Sequence, residues 1–491
     1  VIGQKFFSQA HTEAASPSET QDKGQRERKR HPVLGPRFWK ISLILVAASL
    51  VGVGSAAVLP QTMAIAAGLT VFCIGFWALS VAPEYWPALA FFAIAILSDI
   101  APAQTIFSGF QSSTFWLLFS GIILGASIRH TGLGQHIAVL LSQILGQGYA
   151  RLISGIVLLS LALAFVMPSS MGRVALLIPI ILVLADHMGY GPDSSGRIGM
   201  VLAAGFGTCL PAFTILPANA PNMILAGMAE SLYGQHLSYW EYLLLHFPVL
   251  GAVKAGILIL LILWMFPDHA PQPQTTSLSE EKTVLTFDEY HLLVILGLCL
   301  AFWFTDGLHH ISPGWIGLVA ALYCLWPETK LTSAKCLNQE VNYGALFFVA
   351  AIIGLGAVIS ATGLGQALTE RLSDYAGFDP DRPLWNVVVL TALSTVVAIM
   401  TSLPGVPTVM TPMAQDIATL TALPLTTILM TQVLAFSNIL LPYQAAPIVA
   451  MMQIGAVPVR AVVKLCLLLF VIGLTLLIPL DLLWWHVLGK F

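Results

Sequence analysis

The sequence predicts an all-α membrane protein of about 11 transmembrane helices in two inverted repeats, each with a re-entrant hairpin and a broken helix. Three observations carry that expectation. Of the 491 residues, 57% are hydrophobic and only 9% charged, whereas an ordinary soluble domain is about 25% charged. The apolar runs are continuous rather than alternating, which excludes the pattern of a membrane β-barrel. Short motifs also recur in the same order in the two halves of the chain.

Taken in order, residues 1–40 are polar and end in a basic cluster, Lys23, Arg26, Arg28, Lys29, Arg30, Arg37 and Lys40. They are expected to form a disordered tail whose charges hold the N-terminus on the cytoplasmic side. With a net charge of −3, nothing argues for a nucleic-acid partner. A first transmembrane helix is expected at 41–60. Repeat 1 covers 61–266, with apolar runs at 62–82, 85–98 and 113–130, a hairpin at about 150–186, a broken helix at about 198–228 and a closing run at 239–266. A polar cytoplasmic linker, 267–289, leads into repeat 2 at 290–484. There the runs at 290–305, 312–327 and 343–361 precede a hairpin at about 383–420, a broken helix at about 425–453 and a last run at 458–484.

The hairpin reading rests on length and on the tip. The apolar stretches Leu152 to Val166 and Val174 to Ala185 are each short for a full crossing, and Met167-Pro168-Ser169-Ser170-Met171-Gly172-Arg173 lies between them. A crossing helix needs about 20 apolar residues, so two short arms around a polar tip read as a segment that enters the bilayer and turns back. Such a tip is tolerated only where protein or a water-filled cavity surrounds it. Prolines mark the broken helices: Pro211, Pro217 and Pro221 in the first, Pro442 and Pro447 in the second.

Loop charges set the orientation. With an inside N-terminus, Arg129, Arg151, Arg197, Lys282, Lys330, Lys335, Arg460 and Lys464 fall at or near inside loops. The outside connections 99–112, 229–238 and 306–312 carry no Lys or Arg, in line with the positive-inside rule. Arg371 and Arg382 are the exceptions, in an outside stretch where acids outnumber them. A bacterial inner membrane is the expected location.

Leu124-Gly125-Ala126 and Thr131-Gly132-Leu133-Gly134-Gln135 recur at one constant spacing as Leu355-Gly356-Ala357 and Thr362-Gly363-Leu364-Gly365-Gln366. Ser169 and Pro179 recur as Ser402 and Pro412, and Leu216-Pro217 as Leu441-Pro442. An odd number of crossings separates the copies in this reading, so the repeats are inverted. Interrupted helices at matching places in two such halves point to a secondary transporter and to where its ligand binds.

These motifs resemble the divalent anion:sodium symporter family of dicarboxylate, citrate and sulfate carriers, over roughly residues 60–480. Ser169-Ser170-Met171-Gly172-Arg173 is most similar to the Ser-Asn-Thr-Ala-Arg tip of its citrate/tartrate exchangers and plastid dicarboxylate translocators. Leu216-Pro217-Ala218-Asn219-Ala220-Pro221-Asn222 is similar to that branch's Leu-Thr-Ala-Met-Ala-Ala-Asn segment. Leu441-Pro442-Tyr443-Gln444 and Val457-Pro458-Val459-Arg460 match the last broken helix and the loop after it. The chain departs from the family at both tips: Ser170-Met171 replaces Asn-Thr, and Ser402-Leu403-Pro404-Gly405 keeps only the serine. The resemblance implies an elevator-type, homodimeric carrier of a small dianion, working by symport or exchange. It implies a substrate site of Ser169, Ser170, Arg173, Pro217, Asn219, Asn222, Ser402, Gly405, Pro442 and Gln444. It implies no cofactor beyond sodium as coupling ion, near Ser169, Asn222 and Ser402. The altered tips place that coupling in question.

Individual side chains keep two readings each. Arg173 is the only charge between Arg151 and Asp186; it either grips a carboxylate through two parallel hydrogen bonds, supplying charge that a cation otherwise provides, or pairs with carbonyls and positions the hairpin. Asn219, Asn222 and Gln444 either contact ligand or satisfy the interrupted backbone. Lys254 either contacts the anion or faces a polar seam. His309-His310 reads as a solvated loop rather than a metal site. Cys73, Cys209, Cys299, Cys324, Cys336 and Cys466 are scattered without metal spacing and read as small hydrophobes.

Two rival functions are weaker. A cation/proton antiporter or metalloid-type transporter needs an embedded carboxylate, and neither hairpin core nor either broken run contains Asp or Glu; Asp186 and Asp416 lie only near hairpin ends. A membrane-embedded enzyme needs an activated nucleophile, and Ser169, Ser170 and Ser402 have no His or acid nearby in sequence.

Overall fold

Apolar sequence becomes helix along nearly the whole chain in a computed structural model that describes residues 36–134, 136, 148–167, 169–268 and 285–490. Among these residues there is no strand. The expected tail lies outside the described residues up to 35, as do Gln135, Pro168 and Lys282. Helix α1 (Pro36–Ser55) starts earlier than the expected 41–60, because Arg37 and Lys40 can join its first turn. Arg37 Nε donates to Val81 O at 3.1 Å. The helix stops before Pro60, whose extended backbone begins the next one.

Then come α2 (Gln61–Ala78), α3 (Tyr85–Leu97) and α4 (Ser113–Thr131). The pair α5 (Tyr149–Val166) and α6 (Ser170–His187) meets at the polar tip. Helix α7 (Ser195–Cys209) is followed by single tight turns at Pro211–Thr214 and Leu216–Ala218 before α8 (Ala220–Tyr233). Proline at 211, 217 and 221 removes amides that continuous helix requires. Helix α9 (Tyr239–Met265) closes this half.

The second half runs α10 (Phe287–Phe304), α11 (Pro313–Leu325), α12 (Tyr343–Ala361) and α13 (Leu364–Ala376). Of the expected 267–289 linker, residues 269–284 lie outside the description, and its end is already helix. Thr286 and Glu289 form a reciprocal capping box there. Helix α14 (Pro383–Met400) and the irregular α15 (405–421) make a second pair. Helix α16 (Leu425–Phe436), a turn at Pro442–Gln444, α17 (Ala446–Ile454) and α18 (Val459–Val487) complete the chain.

The repeated Thr-Gly turns share one backbone device. Gly132 has φ +84° and Gly363 φ +78°, a left-handed conformation that a Cβ disfavours by about 1–2 kcal/mol. The threonine before each donates to a carbonyl four residues back, Ser127 O at 2.9 Å and Val358 O at 2.8 Å.

Nine helices among the described residues are long and apolar enough to cross a membrane, fewer than the expected 11. Four expected spans are not among the nine: α3 and α11 have 13 residues and α16 has 12, about 20 Å of helix against a hydrocarbon core of about 30 Å, while α4 has 19 residues but ends in the polar Arg129 and His130. The nine include α5 and α14, the first arms of the two helix pairs. Burial separates centre from periphery. The stretch Ser195–Thr214 is 89% buried and α12 72%, whereas α1 is 6% buried and presents Leu50 and Val53 outward. Helices α2 and α3 pack with one face of α12 in a core of their own, around Phe91, Phe92, Ala350 and Leu355. The paired and broken helices share the larger core.

Candidate functional site

Each helix pair ends in a tip too polar for lipid, and the fold covers both tips with the interrupted helices. A cavity of about 430 Å³ lies where they meet. Ser169, Ser170, Met171 and Gly172 of the first tip and Ser402, Leu403 and Pro404 of the second line it. So do Asn219, Ala220 and Pro221 of one broken helix and Gln444 to Pro447 of the other. Helices α6, α8 and α17 therefore begin on the cavity wall, and α15 begins one residue beyond it. Their N-terminal amides carry positive partial charge, which favours an anion.

Side-chain bonding divides the candidates into free and engaged groups. Ser169 caps α6, its Oγ accepting from Gly172 N at 3.1 Å, which leaves its proton for a ligand. Asn219 caps α8 through Oδ1, which accepts from Asn222 N at 3.3 Å. Its amide nitrogen has no protein partner among the described residues although Asn219 is only 5% exposed. Ser402 is half-buried on the part of the wall that the second tip forms. These three groups are the donors that remain to meet a ligand.

The others are committed to the scaffold. Ser170 Oγ donates to Ala218 O at 3.3 Å and accepts from Arg173 Nη2 at 2.9 Å. Arg173 is fully buried and does not line the cavity. Its Nη1 donates to Met167 O, and Nη2 donates to Thr208 O at 3.1 Å and Ala218 O at 3.2 Å. The guanidinium thus ties the first tip to the first broken helix from behind. Asn222 spends both amide protons on Ala212 O and Ile215 O, at 2.9 and 2.8 Å. Gln444 Oε1 accepts from Leu440 N and Leu441 N, both at 2.8 Å, and its Nε2 donates to Ala398 O at 2.9 Å. Pro217, Pro442 and Gly405 shape the turns and do not line the cavity.

Several wall residues are not among the site candidates that the sequence names. Phe213, Phe348 and Tyr443 supply apolar surface, and Tyr443 Oη donates to Ile399 O. Arg129 and Glu340, also on the wall, form a partly exposed salt bridge at 3.4 Å. A second cavity of about 440 Å³ lies among Gln104, Gln111, Glu230 and Ser360, and neither tip reaches it. Among the described residues no group of three or more His, Cys, Asp or Glu could hold a metal ion. All six cysteines are buried and unpaired. Lys254 is 1% exposed and donates to Ser437 O, away from the cavity wall.

Comparison with known proteins places this geometry in context. The profile of the sodium:sulfate symporter transmembrane region matches residues 36–491. A Cupriavidus necator protein described only as a membrane protein is 24% identical over 291 residues, 58% of this chain and 56% of that one. L-tartrate/succinate antiporters of Shigella sonnei and Escherichia coli K12 are each 29% identical over 294 residues, 55% of this chain and 58% of theirs. The chain thus spans little more than half the length of the curated relatives it matches. The crystal structure of the YdaH transporter of Alcanivorax borkumensis superposes with a TM-score of 0.52 at 14% identity, covering 92% of this chain and 98% of that one. That is a likeness of fold.

Proposed function

The chain belongs to the sodium:sulfate symporter family and is an integral multi-pass membrane protein; on the layout of its cavity we propose that it is a secondary carrier of a small dianion, foremost a four-carbon dicarboxylate. One observation carries the reading. Both tips and both broken helices meet at a single cavity whose wall holds helix N-termini and the uncommitted donors of Ser169, Asn219 and Ser402. In this reading Ser169 and Asn219 bind one carboxylate and Ser402 the other, while Arg173 raises the potential from behind without touching the ligand. Charge-assisted hydrogen bonds of this kind are worth about 1.5–3 kcal/mol each.

The carrier would move its site by an elevator motion. The paired and broken helices would slide as one body against a scaffold that includes α2, α3 and α12, and the separate core around Phe91 and Leu355 supports that division. A homodimer is the assembly the family resemblance supports, and an inside N-terminus the orientation that the loop charges support. The relatives named as tartrate/succinate antiporters favour dicarboxylate over sulfate as the first substrate class to test.

Melting temperature against a ligand panel tests the binding half of this proposal, since a ligand that binds only the folded state raises it. Succinate, tartrate, citrate and sulfate are compared with chloride at equal ionic strength. A rise with at least one dianion and none with chloride is expected. A flat response to the whole panel counts against an anion site.

A further inference from the structure

A carrier that couples to sodium needs an oxygen cage for the ion, and in interrupted membrane helices the cage comes from unwound carbonyls and half-helix C-terminal ends. The last four carbonyls of a helix lack intrahelical partners and carry the negative end of its dipole. This chain has four such ends around the candidate site, those of α5, α7, α14 and α16. The family's sodium fits if those oxygens are open.

Each of the four ends gives one or two of its oxygens to buried or wall side-chain donors of the chain itself. Met167 O, capping α5, and Thr208 O, in the last turn of α7, both accept from Arg173, as does Ala218 O in the first broken helix. At the end of α14, Ala398 O accepts from Gln444 Nε2 and Ile399 O from Tyr443 Oη. Ser437 O, capping α16, accepts from Lys254 Nζ. The two broken helices are thus closed alike, each with a buried basic side chain at the C-terminal end of its first half. Beside the broken helices, the side-chain oxygens Thr208 Oγ1 and Asn222 Oδ1 in the first repeat and Asn438 Oδ1 in the second have no protein partner among the described residues. Ala212 O and Ile215 O are already bonded by the Asn222 amide, so what stays open beside either broken helix is one or two side-chain oxygens, fewer than a cage requires.

We infer that Arg173 and Lys254 are tethered cations that fill this chain's two cation positions, so that it moves its anion without sodium, as an exchanger. This rests on the carrier reading. A tethered cation never dissociates, so no ion gradient can be drawn upon through it, and the anion gradients alone drive transport. Arg173 has only neutral oxygens around it. A bound anion is then its compensating charge, and the loaded form crosses more readily than the empty one. Lys254 differs in having the buried pair Asp481 and His246, 3.8 Å apart, in its neighbourhood.

The test uses the full chain in proteoliposomes loaded with unlabelled succinate and supplied with labelled succinate in sodium chloride or choline chloride. No loss of initial rate is expected when choline replaces sodium, and a large loss is expected when the trapped succinate is omitted. A rate that collapses in choline overturns the inference. In a second arm, the melting temperature of the detergent-solubilised protein is compared in the same two salts. Equal values are expected, and a sodium-specific rise overturns the inference even where no anion moves. Absence of uptake in every medium would instead sink the carrier reading and leave the melting comparison to decide about sodium. As a gain-of-effect check, Arg173→Gln and Lys254→Gln are melted in both salts. A sodium-specific rise in either variant, absent from the parent, supports a vacated cation position; a sodium response in the parent contradicts it whether or not the variants fold.

Discussion

Asn219 offers the sharpest single perturbation, because its two side-chain atoms do different work. Oδ1 caps α8 by accepting from Asn222 N, while Nδ2 stands on the cavity wall with no protein partner among the described residues. Asn219→Asp keeps an acceptor of equal capping quality and replaces the free donor with a negative oxygen. If Nδ2 bonds a substrate carboxylate, the change removes about 1.5–3 kcal/mol. It also adds repulsion of about 1–4 kcal/mol for charges about 4 Å apart at effective dielectric constants between 80 and 20. Together these weaken binding by about 60-fold or more, at about 1.4 kcal/mol per tenfold. Asn219→Ser keeps the cap and leaves a hydroxyl proton on a shorter side chain in place of the amide, so it should weaken binding less than Asn219→Asp does. Calorimetric titration of succinate or tartrate into each purified variant reads the effect, with melting in the absence of ligand showing that the fold persists. Unchanged affinity in a well-folded Asn219→Asp protein would refute the assignment of that amide to the ligand.

The other predictions concern how the site is held. Arg173→Lys replaces a planar fork serving Met167 O, Thr208 O, Ala218 O and Ser170 Oγ with one ammonium; leaving one or two buried acceptors unpaired should lower stability by about 2–4 kcal/mol, read as a fall in melting temperature. Gly132→Ala and Gly363→Ala, both in left-handed backbone, should each cost about 1–2 kcal/mol, and similar losses at the two positions would show that the duplicated turns are equivalent. Asp481→Asn removes the carboxylate that faces His246 Nδ1 at 3.8 Å between two fully buried side chains; leaving a buried polar group without its partner should cost about 1–3 kcal/mol, again read by melting.

What the chain shows in advance follows from how local each signal is. The all-α membrane class is written in composition, and the tip at Ser169 lies between apolar arms that become α5 and α6. Prolines mark both interruptions because a missing amide acts on its own helix. Partner choice is another matter. A single arginine in an apolar run is compatible with ligand contact or with carbonyl bonding, and only the fold brings Thr208 O and Ala218 O to it. Lys254 and Ser437, or His246 and Asp481, lie in different halves and become neighbours through helix packing alone. The start of α10 was legible after all: Thr286-Phe287-Asp288-Glu289 is a capping-box pattern, yet its acids read as linker.

Uptake of labelled succinate or tartrate by proteoliposomes containing the full chain, compared with the Asn219→Asp variant reconstituted to the same density, tests the central claim most directly. The account predicts saturable uptake that unlabelled dicarboxylate suppresses and that the variant loses in proportion to its weakened binding. Equal uptake by the two proteins, or no dianion uptake by a folded and reconstituted parent, would contradict an anion site at the meeting point of the tips and broken helices.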